Sequence, residues 1–114
     1  MHELAITENL LATVLKEANA ARAERVIEIN LVVGELSGVV SDCVQFNFDV
    51  LKRGTIADTA IINFKPVPAQ LKCRDCHSEF SPKDECWVCP ECGKLNIEIT
   101  GGRDCYIESM EVEP

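Results

Sequence analysis

The stretch "CYIESMEVE", residues 105–113, decides the architecture. It reads as one strand and stands alone at the end of the chain, after a run of about thirty cysteine-rich and turn-rich residues. A single strand has no independent stability and must pair with a sheet already present. The only sheet the sequence offers lies in the first part of the chain. The strand therefore returns there, and the cysteine-rich run becomes an insertion in a discontinuous domain.

Working outward, residues 3–21 place Leu4, Leu10, Leu11, Val14, Leu15 and Ala18 at helical spacing without Pro or Gly. This helix starts between His2 and Thr7. "RVIEINLVVG", residues 25–34, puts Ile27, Ile29, Leu31 and Val33 at period two, a strand with one buried face. After the turn "GELSG", Ser41 or Asp42 caps a second helix with the apolar stripe Val44, Phe48 and Leu51, and Gly54 ends it. "TAIINFKPVP", residues 59–68, is a strand broken by Pro66 and Pro68. The expected fold is α+β, with two helices on a three-stranded sheet (residues 1–68 and 103–114) and an inserted four-cysteine, zinc-ribbon-like module (residues 69–102).

The chain has 114 residues and a formal net charge of -8. That charge repels a phosphate backbone, and the basic residues form no block, so nucleic acid is not an expected partner. No stretch of 18 apolar residues and no basic segment leading into an apolar run occurs, and the chain reads as cytoplasmic, with no membrane association. None of the common phosphate-binding, nucleophile-elbow or zinc-protease motifs is present, so no enzyme is expected.

Seven cysteines are many for this length, and an odd count in a reducing compartment points to metal rather than disulfides. The spacing is Cys73-x2-Cys76, then Cys86-x2-Cys89-x2-Cys92. Two facing C-x2-C turns supply four thiolates in a tetrahedron, the arrangement of a closed, structural zinc site. Cys86/Cys89 and Cys89/Cys92 both have the right spacing for the second turn. "CPECG" is the better one, because Pro90 presets φ and Gly93 permits positive φ after the second ligand. The expected Zn(II) ligands are Cys73, Cys76, Cys89 and Cys92, with Cys86 a spare thiol or alternate ligand and His77 an adjacent polar residue before it is a replacement ligand in a Cys3His site. Iron in a rubredoxin-like site is the alternative metal. Cys43 and Cys105 read as small core residues, and Trp87 as a cover for the metal or a docking residue.

Taken together, "MHELAI", "VGELSGV", "FNFDVLKRGT", "CRDC", "CPECG" and the closing "IESMEVE" resemble the HypA/HybF family of hydrogenase maturation factors over essentially the whole chain. The resemblance implies a nickel metallochaperone serving the [NiFe]-hydrogenase active site. It implies as partners the maturation GTPase HypB, the hydrogenase large subunit and, in some organisms, urease maturation proteins. A homodimer is left open.

The resemblance also gives His2 a role. The terminal amine of Met1, the backbone nitrogen of His2 and its imidazole close five- and six-membered chelate rings, and planar nitrogen donors suit Ni(II) or Cu(II) over zinc. The family pattern adds Glu3, through its backbone nitrogen, while its carboxylate suits the helix N-terminus. Glu35 of "GELSG" reads first as a turn residue and second as a contact to metal or partner. The rival reading is a zinc-stabilised adaptor without nickel.

Overall fold

The computed structural model describes residues 2–82 and 87–114, and of His2 the backbone alone. Helix α1 (His2–Ala20) sends Leu10, Leu11, Val14 and Ala18 into the core. It closes with the Ala23 N–H donating to Ala18 O at 2.9 Å and the Arg22 N–H to Asn19 O at 3.0 Å. Arg22 takes the left-handed conformation there, φ 56°. Such a paired closure satisfies carbonyls that a helix end otherwise leaves open.

Strand β1 (Arg25–Gly34) runs through the middle of a sheet ordered β2-β1-β6. It pairs in parallel with β2 (Ile61–Val67) and antiparallel with β6 (Cys105–Glu113). The parallel pair needs a crossover, which helix α2 (Ser41–Leu51) supplies. Both helices share one core with this sheet, with Val14 and Ala18 of α1, Ile29 of β1, and Val44 and Phe48 of α2 fully buried. The last strand thus returns to the first sheet. Pro66 is accommodated because β2 is an edge strand with one side free of ladder bonds.

Three expectations are corrected. Ile27 is exposed and Val26 is buried in its place, because the β1–β6 register shifts between Val26 and Glu28. The extra residue is a β-bulge that reverses which face the following side chains take. A second shift, between Asn30 and Leu31 on β1, lets Cys105 and Ile107 share the core side with Met110 and Val112. Helix α2 is not capped by Ser41 or Asp42: its N-cap is Val40, without a side-chain cap bond. The nearby Ser37 hydroxyl instead closes the preceding turn, donating to Gly34 O at 2.7 Å and accepting from the Val39 N–H at 3.3 Å. Finally, Cys43 is exposed, while Cys105 is half-buried against the core.

Between β2 and β6 the chain builds a second sheet that the sequence did not announce. It has the order β4-β3-β5, from β3 (Gln70–Cys73), β4 (Glu79–Phe80) and β5 (Ile97–Gly101), with both pairings antiparallel. Leu71 is its fully buried centre. Strands of two to five residues are too short to show a period, which is why this segment reads only as turns.

Candidate metal centres and their junction

The two cysteine turns have matching hydrogen-bond frames. In the first, the Cys73 N–H donates to Ser78 O and the His77 N–H to Cys73 O, both at 2.9 Å. In the second, the Cys89 N–H donates to Lys94 O at 3.0 Å and the Gly93 N–H to Cys89 O at 2.9 Å. The positive-φ residue falls at the same offset in each: His77 at 64° and Gly93 at 74°. The sequence rule that glycine follows such a turn holds in one and is broken by histidine in the other.

These frames bring the Cys73, Cys76, Cys89 and Cys92 sulfurs within 4.8 Å of one another. The Cys73 and Cys92 sulfurs lie 3.6 Å apart and those of Cys76 and Cys89 3.5 Å. Thiolates held at ~2.3 Å from one tetrahedral zinc ion stand about 3.8 Å from each other, so the four fit such an ion. Cys73 and Cys89 are buried, and Cys76 and Cys92 face solvent. His77 does not join the cluster, which is the one group of metal-ligating side chains among the described residues. Cys86 lies outside the described residues. Trp87 keeps 37 % of its surface in solvent.

Four thiols this close cannot all ionise without a cation. The Ser78 hydroxyl and backbone favour a thiolate at Cys76 and hold it down at about 6. At Cys92 the Lys94 backbone N–H favours the thiolate, but burial and the three neighbouring sulfurs prevail and push it up to about 12. A divalent ion held by Cys73, Cys76, Cys89 and Cys92 would stabilise all four thiolates and release their protons.

Of the terminal residues, Met1 and the His2 side chain lie outside what the structure describes. The His2 backbone already belongs to α1, and Glu3 is the acidic residue of its first turn. Thr7, the one fully buried polar residue among those described, donates its hydroxyl to the Glu3 carbonyl and ties that turn down.

Glu35 has a structural task. Its Oε2 accepts the Ala69 N–H at 2.9 Å, and its own N–H donates to Val67 O at 2.8 Å. The neighbouring Leu36 N–H donates to Gly102 O at 2.7 Å and the Gly34 N–H to Asp104 O at 2.8 Å. One short turn therefore grips the chain both where it leaves the first sheet and where it returns.

The model of a family described as "Hydrogenase/urease nickel incorporation, metallochaperone, hypA" matches residues 1–112. The chain belongs to the HypA family. Among curated relatives, the hydrogenase maturation factor HypA of Dehalococcoides mccartyi strain 195 is 44% identical over 113 residues, covering 99% of this chain and 95% of its own. That of Caldanaerobacter subterraneus subsp. tengcongensis is 40% identical over 114 residues, covering 99% and 100%. The solution structure of the Ni metallochaperone HypA from Helicobacter pylori aligns with a TM-score of 0.69 at 23% identity over 97% of both chains. A second solution structure of a HypA protein aligns at 0.75 with 24% identity, covering 98% of this chain and 96% of its own. The HypA fold is thus shared, and the family is one of metallochaperones and maturation factors, not of enzymes. Among the described residues no helix is long and apolar enough to cross a membrane.

Proposed function

We propose that this HypA-family chain takes up Ni(II) at its N-terminus and delivers it for assembly of the [NiFe]-hydrogenase active site. The donors are the Met1 amine, the backbone nitrogen and imidazole of His2, and the backbone nitrogen of Glu3. One observation carries the reading: α1 begins at His2. The first amides of a helix have no intrahelical acceptor, so a metal that replaces the His2 or Glu3 amide proton breaks no helix bond. The positive end of the helix also favours the deprotonated nitrogen that results. The same position would be costly in mid-helix, where every N–H is in use.

Cys73, Cys76, Cys89 and Cys92 would hold Zn(II) in a closed four-thiolate site, where its contribution is to fold the segment around it. Residues 69–102 then act as a metal-stabilised unit inserted between the two parts of the nickel-binding unit, 1–68 and 103–114. The Glu35 turn holds the two units together. The maturation GTPase HypB and the hydrogenase large subunit are the proposed partners, with urease maturation proteins where urease is a client, and the cytoplasm is the proposed compartment.

The test is a calorimetric titration of Ni(II) into zinc-loaded protein with its native terminus, beside His2→Ala and a chain extended by one residue before Met1. Stoichiometric binding by the native protein, lost in both variants, is the expected result. Equal binding by all three would leave a zinc-stabilised adaptor as the reading.

A further inference from the structure

Helix α2 has two apolar faces, and the fold uses one. Val44 and Phe48 fill the core, whereas Cys43, Phe46 and Val50, spaced three and four residues apart, point outward. Phe46 is 70% exposed and Val50 49%. Beside them Leu4, on the first turn of α1, is 37% exposed. Between the two helices lies a groove of about 360 Å³ lined by Glu3, Leu4, Asp42, Cys43, Phe46 and Asn47. Its floor is apolar, and among the described residues its ionisable oxygens are the carboxylates of Glu3 and Asp42 and no Lys or Arg lines it. The nearest base on α2's own path is committed elsewhere: the Lys52 Nζ lies 3.4 Å from Asp49, donates to Ala60 O, and sits 5.4 Å over the Phe48 ring.

We infer that this groove docks a cationic amphipathic helix of a partner protein, with apolar residues entering over Phe46 and Leu4 and Lys or Arg meeting Glu3 and Asp42. The charge selects the occupant. A second copy would bring the same carboxylate rim against itself, in a chain of net charge -8. An anionic membrane surface is repelled for the same reason. A helix with anchors at i, i+3 or i+4, and i+7 matches the spacing of the exposed stripe. The inference rests on the nickel reading only for its meaning: the groove includes the residue next to His2, so a helix seated there lies beside the cargo site.

The probe is a fluorescein-labelled helical peptide of about 14 residues built from Leu and Lys, with a Glu-for-Lys counterpart, titrated with the zinc-loaded full chain and read by anisotropy. Binding of the Lys peptide is expected to weaken about tenfold in Phe46→Ser and severalfold in Asp42→Asn, the latter difference shrinking at high salt. Amide shift changes should concentrate at Leu4 and from Asp42 to Val50. Val50→Ser serves as a second variant should Phe46→Ser lower the thermal stability. No binding by the parent chain, equal binding by parent and stripe variants, equal binding of the Glu peptide, or shifts centred on the cysteine segment would each overturn the inference. Nickel binding is measured on the same proteins. Its retention in Phe46→Ser separates the groove from the terminal site, and its absence throughout would sink the metallochaperone reading while leaving peptide affinity in place.

Discussion

The Glu35 carboxylate accepts the backbone N–H of Ala69 at 2.9 Å, and Ala69 is fully buried. Removing the carboxylate strands a buried donor, which costs the desolvation of that group and not merely one hydrogen bond. Glu35→Ala should therefore lower stability by about 1–3 kcal/mol in urea unfolding of zinc-loaded protein. Glu35→Gln keeps an acceptor oxygen and should recover most of the loss. Equal loss in both would mean the charge, not the hydrogen bond, holds the junction.

Behind that bond the backbones are in near contact. A Cβ added to Gly34 would stand 2.3 Å from Gly102 O, and one on Gly102 would meet Ala69 Cα at 2.8 Å with φ at +83°. Gly34→Ala should destabilise by at least about 3 kcal/mol, because backbone atoms cannot step aside as a flexible side chain can. Gly38, with open space around its Cβ position and strain from φ +78° alone, should cost about 1 kcal/mol on the same change. Thermal unfolding of the two variants side by side makes the comparison.

The matching frames of the two cysteine turns predict different outcomes for the two candidate pairs. Cys89→Ser and Cys92→Ser should lose stoichiometric zinc, and Cys86→Ser should keep it, as read by metal analysis after gel filtration. A Cys86→Ser protein without zinc would overturn this choice of ligands.

His77 stands where its counterpart is Gly93, at φ 64°. His77→Gly should therefore stabilise the zinc-loaded protein by about 1 kcal/mol, the cost of a left-handed conformation in a residue with a Cβ. His77→Ala removes the imidazole but retains the Cβ, and should not gain. A gain by His77→Ala would assign the effect to the side chain.

Cys43 is exposed and Cys105 half-buried, and burial raises the Cys105 thiol above its ordinary value. A raised value means less thiolate at a given pH below it, so alkylation of Cys105 should be slow at pH 7 and should keep accelerating as pH climbs through the usual thiol range. In zinc-loaded protein, peptide mapping after iodoacetamide should find Cys43 modified before Cys105, by about tenfold. Equal rates would show that the strand end opens.

Much of this protein is local and so was open to reading from the residues alone. The helical spacing of Leu10, Leu11, Val14 and Ala18, the existence of a strand at β1, and the C-x2-C intervals are properties of neighbouring residues, and the helix and the strand stand where that spacing put them. The return of β6 followed from a physical necessity, since an orphan strand must pair. Even the bulge in β6 left a trace: its core residues Ile107 and Met110 are three apart where a regular strand would space them by two.

What tertiary structure alone decided concerns residues far apart in the chain. Spacing left Cys86 and Cys92 equivalent by count and Pro90 and Gly93 favoured Cys92, but only the fold, in which the Cys89 N–H donates to Lys94 O, brings the Cys89 and Cys92 sulfurs beside those of Cys73 and Cys76. The parity of β1, with Val26 buried and Ile27 exposed, depends on its register with β6 more than eighty residues on. Whether Cys43 and Phe46 face the core or water depends on how α2 rolls against α1, because both lie on a helix whose apolar residues exceed one face. The Glu35 to Ala69 bond forms only once β2 has paired with β1 and carried residue 69 to the turn that follows Gly34. Period and spacing act within a few residues, whereas burial, register and metal geometry are settled by chain closure, and that closure makes one turn the fastening point of both sheets.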